Sequence, residues 1–275
     1  VPAIYERLFK IIKKHLEKQG KVEQILKDEE KYKDSSMEKK KEVFKEIHDL
    51  LGGNIKLFIS GAASLEPSIE EKFRRLGFNM VQGYGLTETS PVVAIGNKKY
   101  HKTGSIGKCV PSDEVKLLDI NKDGIGELAV KGPNVMLEYY ENKEATEKVL
   151  KDGWFQTGDL ARIDEEGYIF ICGRKKSVIV LKNGKNIFPE EMETLINKED
   201  GVEESFIFGK PISKDPNDIK IFVKIVYNKE SFEGKTETEI KEYFNEKIKS
   251  INKTMPHYKA IRGIIISDKP LIKTT

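Results

Sequence analysis

The feature that most constrains this chain is a strand, helix and strand in close succession. NIKLFISG reads as a buried strand, EPSIEEKFRRLG as a helix ending at Gly77, and NMVQGYG as a second strand running into a loop. Strands joined through a helix are expected to lie parallel, which places this stretch in an α/β domain. The texture changes beyond it. EVKLLDINKDGIGELAVKG predicts two strands about a DG-containing turn, and ARIDEEGYIFICG predicts another hairpin, so residues 104–173 read as mostly antiparallel. After Arg174 the pattern restarts with SVIVLKNGKNIF, where Asn183-Gly184 signals a tight turn, and with PEEMETLINKE, where Pro189 opens a helix. Strands at VEESFIFG and IKIFVKIVY, a helix over 236–251 and a strand at AIRGIIIS complete a small α+β unit.

Ahead of Gly52 the chain reads as helical. Ile4, Leu8, Ile11, Ile12 and Leu16 recur at three-to-four spacing, as do Val43, Phe44, Ile47, Leu50 and Leu51. The segment between them, KVEQILKDEEKYKDSSMEKKKE, is poor in apolar residues and suggests a solvated helical hairpin. The fold class expected is therefore α/β plus α+β, in two domains. Residues 1–174 form the first, with a helical segment (1–51), an α/β part (52–103) and a β-rich subdomain (104–174). Residues 175–275 form a small second domain, with a hinge near Lys175 and Lys176.

Composition narrows the function classes. Across 275 residues, 48 Lys plus Arg nearly balance 45 Asp plus Glu, and the basic residues are mostly lysines interleaved with glutamates at helical spacing. That argues against a dedicated polyanion binder, and no nucleic-acid partner is expected. No apolar run approaches the roughly 18 to 20 residues of a membrane span, so no integral membrane protein is expected. Cys109 and Cys172 lie far apart and outside any CxxC pair, which fits a reducing, cytoplasmic setting. The opening segment lacks a signal-peptide pattern and an initiator Met and reads as the interior of a longer chain.

Several catalytic patterns fail on inspection. Gly234-Lys235-Thr236 would need glycine where Lys229 stands to make a phosphate loop, and Gly83-Tyr84-Gly85 is followed at position 88 by glutamate where a dinucleotide fingerprint needs glycine. His15, His48, His101 and His257 are too scattered for a zinc motif and read as surface or turn residues. No GxSxG nucleophile elbow occurs.

The densest group of chemically capable residues is Gln82 to Pro91. Gly83 and Gly85 permit close backbone approach, Tyr84 offers an aromatic face, Thr87, Thr89 and Ser90 offer hydroxyls, and Glu88 offers a hard oxygen ligand suited to magnesium. A polar turn with a helix-capping threonine is the structural alternative. Upstream, Ser60 to Ser64 follows a strand with small residues. Downstream, Gly153 to Asp159 ends in a carboxylate able to accept from both hydroxyls of a ribose, and Gly173-Arg174-Lys175-Lys176 brings positive charge to the domain junction.

In this order the motifs resemble the adenylate-forming superfamily, which includes fatty acyl-CoA synthetases, acid-CoA ligases, luciferases and peptide-synthetase adenylation domains. GYGLTETSP, GELAVKGPNVMLEYY, DGWFQTGD and GRKKSVIVLKNGKNIFPEEME carry the resemblance over residues 57–193, and the opening VPAIYER with its charged helices looks most like a long-chain fatty acyl-CoA synthetase. The resemblance implies that a carboxylate attacks the α-phosphate of ATP and that coenzyme A then displaces AMP. It implies that Tyr84 stacks on adenine and Gly61, Ala62 and Ala63 line the adenine pocket. Gly83 and Gly85 count among the cofactor-binding positions, Thr87 contacts the α-phosphate, and Glu88 holds Mg2+. Asp159 and Arg174 serve the ribose, Lys176 lies at the hinge within reach of the adenylate, and the turn at Gly184 leaves room for pantetheine. Thr87, Glu88 and Lys176 are the catalytic candidates.

Two family motifs are not found. A Ser/Thr/Gly-rich phosphate loop is absent before Gly52, and Pro270 to Thr275 resembles the approach to a closing Gly-Lys motif, with Lys273 matching an earlier lysine. The chain is thus expected to be a C-terminal piece that does not turn over alone. Alternatives are a CoA ligase or adenylating enzyme for another acid, and a nucleotide-binding module without catalysis. Peripheral contact with the inner membrane face suits a lipid substrate, although no strongly apolar amphipathic segment demonstrates it. Oligomeric state is not readable from the sequence.

Overall fold

The computed structural model describes residues 2–98, 100–212, 215 and 218–271. The expected approach to a closing motif falls largely on residues 272–275, outside the described residues. The chain divides into two compact units, Val1–Ile171 and Cys172–Thr275.

The first unit opens with four helices, α1 (Pro2–Lys18), α2 (Val22–Lys31), α3 (Met37–Val43) and α4 (Lys45–Leu50). The single solvated hairpin expected here is broken further, because Ser36 caps α3 by accepting from the Lys39 backbone N–H at 3.2 Å. The solvated part of the expectation holds for α2, which has no buried residue. It fails at Lys40, which is buried and donates its Nζ to the Lys33 carbonyl at 2.5 Å, and burial pushes its ammonium pKa down. Ile12 and Leu16 of α1, with Phe44 and Ile47, are buried as the periodicity indicates, and Tyr5 joins them, whereas Ile4, Ile11 and Leu50 of the same pattern are exposed.

These helices cover a small sheet. β1 (Phe58–Ser60) and β2 (Met80–Tyr84) pair in parallel, Phe58 against Met80, with α5 (Pro67–Arg75) crossing between them. This is the strand, helix and strand unit read from the sequence, but β1 is not the buried strand expected: it is three residues long, stands at the end of its sheet and leaves Ile59 exposed. Phe73 of α5 is fully buried and meets Tyr5, Phe58 and Phe78 edge-on at ring separations of 6.1, 5.4 and 5.9 Å. Such a side chain contributes about 1.5–3 kcal/mol through burial, plus favourable ring geometry. β3 (Ala94–Ile95) and β4 (Lys108–Cys109) extend the sheet antiparallel, in the order β1-β2-β3-β4. Lys108 and Cys109, expected within the β-rich part, thus pair with the first sheet.

A second sheet is antiparallel, as its hairpin signals require. β5 (Glu114–Leu118) pairs with β6 (Gly126–Lys131), and after α6 (Lys143–Val149) and β7 (Leu150–Lys151) the long β8 (Trp154–Ile163) lies between β6 and β7. β9 (Ile169–Arg174), whose residues up to Ile171 belong to this unit, pairs with β8.

The second unit begins with the hairpin of β10 (Ile179–Val180) and β11 (Asn186–Ile187), followed by α7 (Pro189–Ile196). β12 (Val202–Pro211) runs antiparallel to β13 (Ile219–Tyr227), and α8 (Glu237–Thr254) carries the chain to β14 (Ile261–Ser267), parallel to β13. Thr236 and Glu239 form a reciprocal capping box at the start of α8. Met192, Ile207, Val223, Phe244 and Ile248 are among the side chains of its apolar core.

Two histidines correct the sequence reading. His48 is 3% exposed, stacks on Phe78 with ring centroids 3.8 Å apart, and donates Nε2–H to the Leu76 carbonyl at 2.9 Å. Burial pushes its pKa below the usual 6.5. His101 places Nε2 2.6 Å from Oε1 of Glu70, a carboxylate with no exposed surface. Neither is a surface or turn residue; each is fixed by elements distant in sequence.

Candidate functional site

The site is built around the end of β2. There the chain turns back so that the Val93 N–H donates to the Tyr84 carbonyl at 2.9 Å. A Cβ on Gly85 would run into the Pro91 carbonyl oxygen and come within 2.9 Å of Val92 Cα. This glycine is therefore required by the loop's own closure, whereas the sequence pattern alone assigns its small size to a ligand. Thr89 is fully buried, and its Oγ1 accepts from the Leu86 N–H at 3.0 Å, so it plays the capping part. Thr87, in the same 3-10 turn, is exposed.

Tyr84, Glu88 and Val92 of this loop are tied to the second sheet or its connections. The Tyr84 hydroxyl donates to Oδ2 of Asp159 on β8, and Asp159 is 5% exposed. The Asp159 N–H donates to Thr157 Oγ1 at 3.1 Å, and that hydroxyl donates to the Leu128 carbonyl at 2.8 Å. The Glu88 carbonyl accepts from the Met136 N–H at 2.7 Å, and its Oε1 accepts from the Tyr139 hydroxyl at 2.8 Å. Desolvation, with the Glu88 carboxylate beside it, pushes the Tyr139 phenol up to about 12. Asn134 Nδ2 donates to the Val92 carbonyl at 2.8 Å and to Asp113 Oδ2 at 2.6 Å.

Gly61, Ala62 and Ala63 lie beside this loop. A Cβ on Gly61 would sit 3.3 Å from the Gly83 carbonyl oxygen, and Ala62 adopts φ +68°, a left-handed conformation uncommon for a residue with a Cβ. Behind both loops runs a buried polar chain whose members share no sequence motif. The Leu65 N–H donates to Gln82 Oε1 at 3.1 Å, Gln82 Nε2 donates to Glu70 Oε2 at 3.0 Å, and the Gly104 N–H donates to the same oxygen at 3.0 Å. Tyr139 likewise carries no signal of its own in the sequence, although it stands inside the motif GELAVKGPNVMLEYY.

Gly61, Ala62, Ala63, Gly83, Tyr84, Gly85, Thr87, Glu88 and Asp159 thus all belong to the first unit and surround the end of β2. Arg174, Lys176 and Gly184 belong to the second. The Arg174 N–H donates to Glu190 Oε1 at 3.4 Å, and Lys176 is exposed in a 3-10 turn. Gly184 has φ +75° with nothing within 4 Å of a Cβ position, in a turn closed by its N–H donating to the Leu181 carbonyl at 2.8 Å. Next to that turn a cavity of about 480 Å³ is lined by Lys182, Lys220, His257, Tyr258 and Arg262, among others. Asp215 and Asp218 offset part of its positive charge, at 2.8 Å from Lys182 and 3.6 Å from Lys220.

Among the described residues no group of three or more His, Cys, Asp or Glu side chains could hold a metal ion. Magnesium bound with a nucleotide needs only one or two carboxylates, since phosphates and water complete its shell. Glu88 fits that donor set: its Oε1 accepts from Tyr139, and Oε2 has no partner among the described residues.

Residues 1–140 match the family of AMP-binding enzymes, and residues 176–275 match the AMP-binding enzyme C-terminal domain. The chain is similar to a long-chain-fatty-acid–CoA ligase of Salmonella typhimurium, 38% identical over 187 residues, covering 65% of this chain and 33% of that protein. It is also similar to the long-chain-fatty-acid–CoA ligase FadD15 of Mycobacterium tuberculosis, 36% identical over 194 residues, covering 70% and 30% respectively. The chain therefore spans about a third of the length of the curated relatives it matches. Among solved structures it resembles o-succinylbenzoate coenzyme A synthetase (MenE) from Bacillus subtilis in complex with ATP and magnesium. The TM-score is 0.62 at 26% identity, covering 80% of this chain and 46% of that one.

Proposed function

Because this chain belongs to the AMP-binding enzyme family, we propose that the intact protein is an ATP-dependent long-chain fatty acyl-CoA ligase. A carboxylate oxygen of the fatty acid attacks the α-phosphorus of ATP, forming acyl-AMP as the bond to pyrophosphate breaks. The thiol of coenzyme A, losing its proton, then attacks the acyl carbonyl, and AMP leaves.

The observation that carries this reading is the tethering of Tyr84 and Glu88, four residues apart on one loop, to Asp159 and Tyr139. That arrangement supports an adenine-facing ring, a carboxylate for ribose and an acid for metal, held by one scaffold. In this reading the Tyr84 ring lies against adenine while its hydroxyl stays on Asp159, and Asp159 accepts from the ribose hydroxyls with its remaining acceptor capacity. Thr87, exposed at the turn, donates to the α-phosphate. Glu88 holds Mg2+, which when bound neutralises the charge of the phosphates. Nucleotidyl transfer depends on such positioning and charge neutralisation more than on a covalent nucleophile. Arg174 and Lys176 are the cationic groups this reading assigns to the adenylate, and it assigns the open turn at Gly184 to the pantetheine arm.

ATP–pyrophosphate exchange by the intact protein across short-chain, long-chain, aryl and amino acids tests the proposal. Exchange is expected with long-chain fatty acids and is expected to be lost in Glu88→Ala. The likeness to MenE keeps another carboxylic acid as the second reading, and a clear preference for an aryl or short-chain acid would favour it.

A further inference from the structure

The tether between Glu88 and Tyr139 differs in kind from its neighbours. The segment from Asn134 to Tyr139 holds the loop after β2 at three points. Asn134 and Met136 donate to backbone carbonyls, of Val92 and Glu88, and these two bonds already fix the path of the loop. The third, from the Tyr139 hydroxyl to Glu88 Oε1 at 2.8 Å, adds nothing to the backbone path; it fixes the plane of a carboxylate. Tyr139 is itself held firmly. Its N–H donates to Thr146 Oγ1 at 3.0 Å, its carbonyl accepts from the Asn142 N–H at 3.1 Å, and Asn142 caps α6 by accepting from the Ala145 N–H at 3.0 Å. The phenol thus hangs from the start of a helix and meets only one of the two carboxylate oxygens.

We propose that Tyr139 is a positioning residue that orients the Glu88 carboxylate, occupying Oε1 and presenting Oε2 to the magnesium of a bound nucleotide. The proposal rests on the nucleotide-activating reading of this site. Partners that orient a metal ligand control affinity strongly, because a carboxylate free to rotate must be ordered each time metal binds.

The test uses the intact protein and the unreactive analogue α,β-methylene-ATP. Calorimetric titrations of the analogue at rising Mg2+ give the metal concentration for half-maximal coupling, and Mn2+ electron paramagnetic resonance with the analogue present reports metal binding directly. In Tyr139→Phe, which keeps the ring and removes one hydrogen bond, half-maximal coupling should need roughly 10-fold more metal. Analogue affinity in EDTA and the thermal midpoint should stay as in wild type. Glu88→Gln should lose the metal dependence altogether. Wild-type metal affinity in Tyr139→Phe would overturn the proposal, as would equal weakening with and without metal, which is the mark of a purely structural role. If wild type showed no metal-dependent binding and Glu88→Gln changed nothing, the functional reading would fall and the proposal with it. If Glu88→Gln behaved as expected and Tyr139→Phe did not, the proposal alone would fall.

Discussion

Residues 84–92 and residues 181–187 are both short glycine-bearing loops to which the proposed reaction gives a place, and they differ in where their backbone partners come from. In the first, Tyr84 reaches Asp159, Glu88 reaches Met136 and Tyr139, and Val92 accepts from Asn134. Every one of those partners is at least 42 residues away in sequence. In the second, the backbone is held locally: Gly184 to Leu181, Leu181 to Lys185, and the Lys185 N–H to the Asn183 side chain at 3.1 Å, while the distant partners, Asp215 for Lys182 and the Tyr258 ring for Lys185, are met by exposed lysine side chains. Gly85 is wedged against Pro91, whereas Gly184 has open space around it. The first loop has the build of a preorganised binding edge, whose groups need little reordering when a ligand arrives. The second can yield room to a flexible ligand arm at small cost to the unit beneath it.

The contrast is open to direct attack through the two glycines. Gly85→Ala should have the largest effect, because its Cβ meets backbone on the far side of the loop and cannot be accommodated by a side-chain rotation. Displacing the loop by about 1 Å is expected to lower pyrophosphate exchange roughly 100-fold. Tyr84→Phe asks how far the tether to Asp159 holds the loop. It keeps the aromatic face but leaves a buried carboxylate without that donor, and the denaturation midpoint should fall by the equivalent of about 1.5–3 kcal/mol. Gly184→Ala is the counterpart in the open turn. There the only penalty is backbone strain at φ +75°, about 1 kcal/mol, with pyrophosphate exchange unchanged. A loss of exchange comparable to that of Gly85→Ala would erase the distinction between the loops.

A smaller effect probes the support beneath the first loop. His48 bonds to Leu76, in the turn that leads into β2, and its pKa is depressed by burial. A depressed histidine favours the neutral form in the folded state. Its contribution is therefore fully present above about 6.5 and is lost as pH falls below that value. The thermal midpoint should decline on acidification through this range, and His48→Phe should flatten the decline.

Much of this architecture is legible in the sequence for local reasons. The parallel pair β1 and β2, the hairpins of the second sheet, the Asn183-Gly184 turn and the start of α7 at Pro189 all follow from periodicity and turn chemistry within some ten to twenty residues. The features that escape a sequence reading are set by contacts between distant segments. Glu88 stands out as an acid in a polar loop, but nothing in its neighbourhood indicates Tyr139, 51 positions away. Glu70 and His101 look like ordinary helix and loop residues until the fold brings them to 2.6 Å. His48 sits in a charged stretch, EIHDL, yet stacks on Phe78 in the core. Gly85 reads as making space for a ligand, and the fold shows that it makes space for Pro91. Residue type suggests where chemistry resides, and tertiary packing decides what holds it.

The central claim is that the edge formed by Tyr84, Glu88 and Asp159 receives the nucleotide. Photolabelling of the intact protein with 8-azido-ATP and Mg2+, followed by peptide mapping, tests it most directly. Label should appear on the peptide containing Tyr84, be suppressed by excess ATP, and fall sharply in Asp159→Ala. ATP-protected label confined to the basic cavity of Lys182, Lys220 and Arg262, with none near Tyr84, would contradict the account.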